Sequence, residues 1–323
     1  MSIKKMNALL CQSVDTRQLA LSEVDVPTPG PDEVLIRVKF CGVNFPDTLI
    51  TRGKYQFQPE LPFAPGQEVY GEVISTGAQV DHVHPEEMVL ASMTWGGFAE
   101  FAIAKGVNTY RMPPGARPES AAALLETYAT AYHALQDRAE IKPGETLVVL
   151  GASGGTGTAA VQLGRVLGCK VIAVASTEAK RQFALENGAD DALGYDNLKA
   201  QLKAMGGCDV IFDPIGGVSS EQAFRAIKPG GRHLIIGFAS GNVPAIPWNL
   251  PLLKSASIVG VFWGSFWRNQ PDDNRRNVLQ LLNWLEAGRI DVKVSHVMPL
   301  KDGEKALEAI EKREVQGKLV LSV

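Results

Sequence analysis

The stretch "GASGGTG", Gly151–Gly157, lies between the apolar run "TLVVL" (146–150) and the segment "TAAVQLGRVLG" (158–168). The first run predicts a buried strand, and the second is typical of a helix. Glycines in such a turn allow a tight reversal and a close approach of the backbone to a ligand. The following helix offers free N–H groups and a positive dipole end to a phosphate. The pattern therefore predicts a site for the pyrophosphate of a dinucleotide.

The match to the G-x-G-x-x-G fingerprint is imperfect, because its first position is Ala152, followed by Gly154 and Gly157. Its context favours dinucleotide binding over a purely structural glycine turn, since strands and helices alternate on both sides of it. We predict that the whole turn contacts the cofactor: Ala152, Ser153, Gly154, Gly155, Thr156 and Gly157.

Outward from this turn, short β-branched runs alternate with helix-like segments. The predicted strands are "TLVVL", "KVIAVAS", "VIFDPIG", "RHLIIGF" and "SIVGVFW". The predicted helices are "TAAVQLGRVLG", "EAKRQFALENG", "NLKAQLKAMG" and "SEQAFRAIKPG". This alternation predicts a doubly wound parallel sheet of the Rossmann type.

The first third of the chain has a different texture. In "EVLIRVKF" (33–40), apolar and polar residues alternate as in a strand with one buried face, and Pro/Gly clusters flank it. An Ala- and Leu-rich segment at 119–139 predicts a helix, and "KLVLSV" (318–323) predicts a strand that returns to the first sheet. We predict an α/β protein with a discontinuous β-rich domain, 1–121 and 265–323, and a Rossmann domain, 122–264.

Composition limits the partners. The 323 residues carry 32 Lys and Arg against 35 Asp and Glu, with a formal net charge of −3. Because the charges are interspersed, no basic stripe points to a nucleic acid, and no apolar run is long enough for a membrane span. Four dispersed cysteines favour a reducing, cytoplasmic location. The expected partner is a small molecule.

The residues at the end of the predicted strand "KVIAVAS" and just after it indicate whether the cofactor is NADH or NADPH. An NAD-specific enzyme places an acidic residue there, against the ribose 2′-hydroxyl, whereas this chain has Ser176. Lys180 and Arg181 follow and would neutralise a 2′-phosphate, so the pattern favours NADPH. Alternatively, Ser176 or Thr177 caps a helix whose basic pair faces solvent, and the two interpretations are compatible.

Five ordered motifs carry a resemblance over essentially the whole chain: "CGVNFPDTLITRGKY", "LPFAPGQEVYGEV", "TYATAYHAL", "GASGGTGTAAVQL" and "GVFWGSF". The chain resembles the medium-chain dehydrogenase/reductase superfamily, specifically its zinc-free quinone oxidoreductase branch. The resemblance implies a GroES-like catalytic domain formed by both chain ends, a Rossmann domain between them, and an active site in the cleft.

Zinc enzymes of this superfamily hold their metal with Cys, His and Cys. By resemblance, Asn44, Gln67 and Thr127 stand at those positions, so the chain lacks the ligands. A site from Glu68, His82 and His84 is disfavoured, because the histidines lie in a Pro- and Glu-rich turn. Without a Lewis acid, the substrate must already be electrophilic, as quinones and α,β-unsaturated carbonyls are.

The resemblance also implies roles for single residues. Asn44 and Thr127 would lie near the nicotinamide or the substrate carbonyl and hold the cofactor or a developing enolate oxygen. Tyr55 is the candidate proton donor, with loop packing or a proton from solvent as the alternatives. Asp47 is expected to orient the backbone, and His133 is expected to be a satisfied interior histidine.

Further cofactor contacts are implied only by resemblance: Tyr195, Phe238, Ser240, Phe262, Gly264 and Lys318. Phe262, together with Trp263, Phe266 and Trp267, is equally compatible with a core or a subunit contact. Glu126 departs from the family pattern and would place a charge beside the nicotinamide pocket.

The leading hypothesis is an NADPH-dependent reductase of quinones or related conjugated carbonyls. Reduction of an enoyl thioester or haloacrylate is the enzymatic alternative, and a structural or regulatory NADPH-binding protein is the non-enzymatic one. The apolar run "SASIVGVFW" (255–263) at the end of the predicted sheet favours a homodimer joined through this edge. The segment "NRRNVLQLLNWLEAG" (274–288) is a candidate to cover that edge instead.

Overall fold

The structure, a computed structural model, describes residues 4–323. The chain divides into two compact units. The first comprises the residues up to Glu126 together with Val278–Ala287 and Val292–Val323, and the second comprises Thr127–Asn277 and Gly288–Asp291. The main junctions, at Glu126 and Asn277, lie further along the chain than the boundaries at 121 and 264 that the sequence pattern predicts.

The strands, in chain order, are β1 Lys5–Ser13, β2 Gln18–Asp25, β3 Glu33–Val43, β4 Glu68–Thr76, β5 Met88–Ser92, β6 Phe101–Lys105, β7 Thr109–Arg111, β8 Thr146–Leu150, β9 Lys170–Val174, β10 Asp191–Leu193, β11 Cys208–Asp213, β12 Ile227–Ile235, β13 Ser257–Gly260, β14 Val294–Pro299 and β15 Lys318–Ser322.

The α-helices are α1 Phe45–Ile50, α2 Pro118–Ala121, α3 Thr130–Tyr132, α4 Gly155–Val166, α5 Glu178–Glu186, α6 Leu198–Ala204, α7 Gly217–Phe224, α8 Asn249–Lys254, α9 Trp263–Asn269, α10 Pro271–Glu286 and α11 Gly303–Glu311. Two π-helices, Leu125–Ala129 and His133–Arg138, flank α3, and short 3₁₀ turns occupy Gly106–Asn108 and Leu300–Asp302. Within residues 4–323, no helix has the length and apolar composition needed to cross a membrane.

The first unit is built on a mostly antiparallel sheet in the order β14-β15-β3-β4-β5-β7, with β6 also paired to β3 and a separate β1–β2 hairpin. The alternation predicted for β3 holds in part, since Val34, Ile36 and Val38 are buried in the core of this unit, but Leu35 is buried as well and Phe40 is only half-buried. The C-terminal strand β15 pairs antiparallel with β3, which confirms the strand predicted for "KLVLSV" and its return to the first sheet. Both ends of the chain therefore contribute to one sheet.

The second unit contains a six-stranded sheet in the order β10-β9-β8-β11-β12-β13, with every neighbouring pair parallel. Numbered within the unit, this is the order 3-2-1-4-5-6 of a dinucleotide-binding sheet. Its central strands are buried on both faces, as in the runs Leu147–Leu150 and Val171–Val174, which is why they read as continuous apolar sequence. The predicted α/β fold class is confirmed.

Two predicted helices differ from the structure. The segment at 119–139 is not one α-helix, because its ladder shifts to π-type bonding, with Ala139 N–H donating to the Ala134 carbonyl at 2.9 Å. The predicted helix at 220–230 ends at Phe224, and β12 begins at Ile227. Pro229 lacks the N–H that a continuing helix needs at this point.

Candidate active site

The glycine turn joins β8 to α4 as predicted. Gly154 is the N-cap of α4, and Gly151 adopts a positive φ of 63° that favours glycine. A Cβ on Gly157 would overlap the carbonyl oxygen of Gly151, whereas a Cβ on Gly154 would meet only that oxygen, at 3.6 Å. Gly157 therefore allows the helix to pack on the turn, while Gly154 leaves backbone accessible beside the helix N-terminus. This is the arrangement that a pyrophosphate requires.

Tyr195 reaches this turn from the segment after β10. Its hydroxyl accepts a hydrogen bond from the Gly151 N–H at 3.0 Å and donates to the Val174 carbonyl at 3.5 Å. The side chain thereby ties the ends of β8 and β9 together. A contact of Tyr195 with adenine stays a prediction.

After β9, the predicted helix cap is confirmed at Thr177, whereas Lys180 and Arg181, predicted to face solvent, are half-buried. The Thr177 hydroxyl accepts from the Lys180 N–H at 3.3 Å, and Arg181 forms an ion pair with Glu178 at 2.7 Å. Ser176 is exposed just before the cap. The position that would carry an acidic residue in an NAD-specific site therefore presents a hydroxyl, with the Lys180 side chain one helical turn away.

The aromatic residues near β13 separate into two sets. Trp263 and Phe266 are buried, and the Trp263 indole N–H donates to Asn274 Oδ1 at 2.8 Å. Phe238 and Phe262 are 37% and 42% exposed; Phe238 remains a candidate for cofactor contact, and Phe262 for cofactor or subunit contact. Two further predicted residues lie beside them, Ser240, whose hydroxyl donates to the Asn242 carbonyl at 3.3 Å, and the half-buried Gly264.

His133 is the satisfied interior histidine that the sequence predicts. It is 6% exposed, and its Nδ1 lies 2.7 Å from Asp137 Oδ2. Its ring stacks on Phe266 with centroids 4.0 Å apart.

In the first unit, strand register brings three polar residues together. Gly42 of β3 pairs with Glu68 at the start of β4, and Val43 pairs with Leu319 of β15. Asn44, the N-cap of α1, directly follows β3. Its amide therefore meets both Glu68 and Lys318, although neither contact was predicted.

Asn44, Glu68 and Lys318 form a cluster whose members are hydrogen-bonded to one another. Lys318 Nζ donates to Asn44 Oδ1 and, at 2.9 Å, to Glu68 Oε1. Asn44 Nδ2 donates to Glu68 Oε1 at 2.9 Å and points to the Gly42 carbonyl at 3.5 Å. Donation by Asn44 to a substrate oxygen, which the resemblance implies, would therefore require one of these bonds to be given up.

Asp47 joins the cluster to the chain before β4. Its two carboxylate oxygens accept from the Asn44 N–H at 2.8 Å and from the Gly66 N–H at 3.0 Å, which is the backbone-orienting role expected for it. Burial raises the pKa of Asp47 to about 7, although these two N–H donors and the Lys318 charge act in the opposite direction.

Three further residues named from the sequence are Gln67, Thr127 and Tyr55, and each has a different environment. Gln67 is 5% exposed and donates to the Thr94 carbonyl at 3.3 Å, but its Oε1 has no hydrogen-bond partner among residues 4–323. Thr127 is buried within the first π-helix. Tyr55 packs against the cluster of Cys11, Ile50 and Phe63, which supports its packing alternative.

A catalytic zinc ion does not fit the residues present in the first unit. The buried ammonium of Lys318 already lies against Glu68 and Asn44 and would repel a divalent cation. His82 Nε2 instead lies 2.9 Å from the Gly106 carbonyl. Across the described chain, no cluster of three His, Cys, Asp or Glu residues could bind a metal.

Comparison with known proteins agrees with this architecture. The family described as "Alcohol dehydrogenase GroES-like domain" matches residues 30–114, and "Zinc-binding dehydrogenase" matches residues 155–284. Quinone oxidoreductase-like protein 2 of Bos taurus is 35% identical, over 99% of this chain and 93% of its own. The chain belongs to the quinone oxidoreductase branch of the medium-chain dehydrogenase/reductase superfamily.

Two solved structures of quinone oxidoreductases share this fold. The Thermus thermophilus enzyme, studied alone and with NADPH, is 30% identical with a TM-score of 0.89, over 98% of this chain and 100% of its own. The Escherichia coli enzyme, complexed with NADPH, is 26% identical with a TM-score of 0.90, over 99% of this chain and 100% of its own. The β-rich unit is thus a GroES-like domain, as predicted, and the parallel sheet is that of a Rossmann domain.

Proposed function

We propose that this chain is an NADPH-dependent reductase that transfers a hydride to quinones or related α,β-unsaturated carbonyls without a catalytic metal. The observation that carries the proposal is the turn before α4, where Gly157 permits close packing and Gly154 leaves the backbone open. The NADPH complexes of the two related quinone oxidoreductases support the choice of cofactor. When bound, the reduced nicotinamide supplies the hydride.

The residues of the second unit would bind the cofactor. The backbone of Ala152–Gly157 and the N-terminus of α4 would hold the pyrophosphate, with Tyr195 fixing the turn. Ser176 and Lys180 would accommodate the 2′-phosphate, because an uncharged hydroxyl and an ammonium replace the acidic residue of an NAD-specific site. Phe238, Ser240, Phe262 and Gly264 remain proposed cofactor contacts.

The residues of the first unit support a metal-free reaction. Because an internal ammonium lies against Asn44 and Glu68, substrate activation would depend on hydrogen bonding and on the conjugation of the substrate. Tyr55 remains the proposed proton donor, and Thr127, which belongs to the second unit, is proposed to supply a hydroxyl donor to the substrate oxygen.

A substrate panel tests the reaction. Purified protein is mixed with NADPH and with quinones, enones or enoyl thioesters, and the nicotinamide absorbance is followed. We expect consumption of NADPH with quinones or enones. Turnover restricted to enoyl thioesters would instead identify a double-bond reductase, and NADPH binding without turnover of any acceptor would identify a binding protein.

Metal independence has a separate test. We expect activity to survive prolonged chelation and metal analysis to find no stoichiometric zinc. Loss of activity in chelator with recovery on adding zinc would overturn this part of the proposal.

We further propose a homodimer joined through β13. This strand is at the edge of the six-stranded sheet, and Ile258 on it is 38% exposed. Large apolar side chains of the same unit are also exposed: Val243, Trp248, Leu252 and Leu253. An exposed apolar edge of this kind favours pairing with a second copy over a free surface.

The reducing, cytoplasmic location stays a prediction.

A further inference from the structure

The ion pair between Lys318 and Glu68 is almost completely buried. The two side chains are 4% and 1% exposed, and Nζ lies 2.9 Å from Oε1. Removing two charges from water is costly, and their mutual attraction offsets that cost only when the remaining donors and acceptors are also satisfied. Such a pair is therefore weak evidence for added stability. Its two charges do, however, act on the polar groups that contact them.

The donors of the ammonium are fully matched. Besides Glu68 Oε1, Lys318 Nζ donates to Asn44 Oδ1 and to the Val43 carbonyl, the latter at 3.3 Å. An ammonium has three N–H groups, and here each has an acceptor from the protein. A contact between Lys318 and the cofactor, which the family resemblance implies, would require one of these three bonds to break.

The same pair dictates the orientation of the Asn44 amide. The amide oxygen faces the ammonium, and the amide nitrogen faces the carboxylate at 2.9 Å. A flipped amide would place its N–H groups against the ammonium and its oxygen against the carboxylate, and both contacts would be repulsive. Two opposite charges on the two sides of the amide therefore select one orientation.

The carboxylate also fixes the backbone. Glu68 Oε2 accepts from the Glu126 N–H at 3.0 Å, immediately after the start of the first π-helix. The space for this arrangement exists because residue 42 is glycine, since a Cβ there would overlap both Glu68 Oε1 and the Ala122 carbonyl oxygen. One carboxylate thus joins the N-cap of α1, β15 and the chain entering the π-helix.

We propose that Glu68 and Lys318 are positioning residues, which hold the Asn44 amide in a single orientation, and that Lys318 acts on the reaction through Asn44 and not by contact with the cofactor. The kinetic part of this inference rests on the proposed function. The orientation of Asn44 in the free protein does not.

The first test therefore uses ligand-free protein and no turnover. The Asn44 side-chain resonance is assigned in a ¹⁵N–¹H correlation spectrum by its loss in Asn44→Ala. We expect its protons to exchange slowly with water in the wild type and to shift and exchange faster in the double variant Glu68→Gln/Lys318→Met. This variant removes both charges at similar volume, so neither charge is left buried alone.

The matched control is Glu145→Gln/Arg232→Met. It removes a bidentate pair in the second unit with both bonds at 2.8 Å, and it should leave the Asn44 resonance unchanged. An unchanged Asn44 resonance in the Glu68/Lys318 variant would overturn the proposal. If the Glu68/Lys318 double variant fails to fold, Lys318→Arg replaces it. This variant keeps the positive charge but changes the shape of the group, and the Asn44 side-chain resonance is measured in the same way.

The second test separates action through Asn44 from direct contact. We expect the Glu68/Lys318 double variant to lower kcat/KM by about tenfold to hundredfold, as misplacement of a reacting group does. In an Asn44→Ala background the same two substitutions should add little. Additive losses would show that the pair does not act through Asn44. A matching loss of NADPH affinity, measured by fluorescence without an acceptor, would show that Lys318 contacts the cofactor itself. Absence of turnover in the wild type would reject the proposed function and leave the resonance test intact.

Discussion

The carbonyl oxygen of Gly151 occupies the place where a Cβ on Gly157 would have to lie, so no side chain fits at that position. This contact sets how closely α4 approaches the end of β8. The two glycines are six positions apart in the sequence, and the tight turn between them brings them close together.

We expect Gly157→Ala to lower the free energy of unfolding by about 1–3 kcal/mol, because the added methyl group must displace backbone. Gly154→Ala is the matched control, since its Cβ would meet only ordinary contact at 3.6 Å. It should change stability by at most about 1 kcal/mol and yet weaken NADPH binding, if a pyrophosphate approaches the backbone there. Urea unfolding and fluorescence titration measure the two effects. Unchanged NADPH affinity in Gly154→Ala would contradict the proposed binding site.

Cofactor preference should reside in Lys180. We expect Lys180→Ala to weaken NADPH binding by about 1–3 kcal/mol, the range for a lost charge-assisted hydrogen bond, and to leave NADH binding nearly unchanged. Lys199→Ala, at an exposed lysine of the same unit, is the control. Titration of each variant with both cofactors gives the comparison. Equal weakening of the two would reject the assignment of Lys180 to the 2′-phosphate.

The Rossmann unit could be predicted because its signals are local. The β8 boundaries follow from the apolar run Thr146–Leu150, and the turn after it follows from glycine chemistry over a few residues. The capping interpretation at Thr177 was equally local. Each of these needs only neighbours in the sequence.

The contacts that could not be predicted from the sequence join residues that are far apart along the chain. Asn44 and Lys318 are 274 positions apart, and only the pairing of β15 with β3 brings them together. The start of the first π-helix also has a distant partner, since the Glu126 N–H donates to the side chain of Glu68 on β4. Helix propensity carries no information about such a partner.

Asp47 should make stability depend on pH. Burial raises its pKa in the folded protein from an ordinary value of 3.8 to about 7. The folded state then holds the proton more tightly than the unfolded state, so the stability that this group contributes is fully present below about pH 4 and is lost as the pH rises to about 7.

We therefore expect the wild type to lose stability relative to Asp47→Asn between pH 5 and pH 7, by up to about 1.4 kcal/mol per pH unit. Urea unfolding at several pH values measures this difference. Asp302→Asn is the control, because the hydrogen bond from the Lys305 ammonium at 2.7 Å lowers the pKa of that carboxyl, so it should not show this trend. A wild-type advantage that grows with pH would show that Asp47 is ionised in the folded protein throughout.

The proposed dimer can be tested at Ile258. A lysine there places a charge on the exposed edge strand, and in a twofold contact it would face its own copy, so we expect Ile258→Lys to sediment as a monomer. Leu185→Lys is closely matched, because Leu185 is 37% exposed against 38% for Ile258 but lies on α5. It should remain dimeric. A concentration-independent wild-type monomer would reject the dimer.

Gln67 offers a final test, because a buried acceptor without a partner is costly unless a ligand or water satisfies it. Its Oε1 has no partner among residues 4–323, and the hydrogen bond that its side-chain amide donates to the Thr94 carbonyl is long at 3.3 Å. Removing an unsatisfied acceptor recovers a desolvation cost of about 1–3 kcal/mol, which roughly balances the lost bond to Thr94. We therefore expect Gln67→Met, an apolar replacement of similar shape, to keep or slightly raise the free energy of unfolding while it raises KM for the acceptor. Lower stability with unchanged kinetics would instead assign Gln67 a purely structural role.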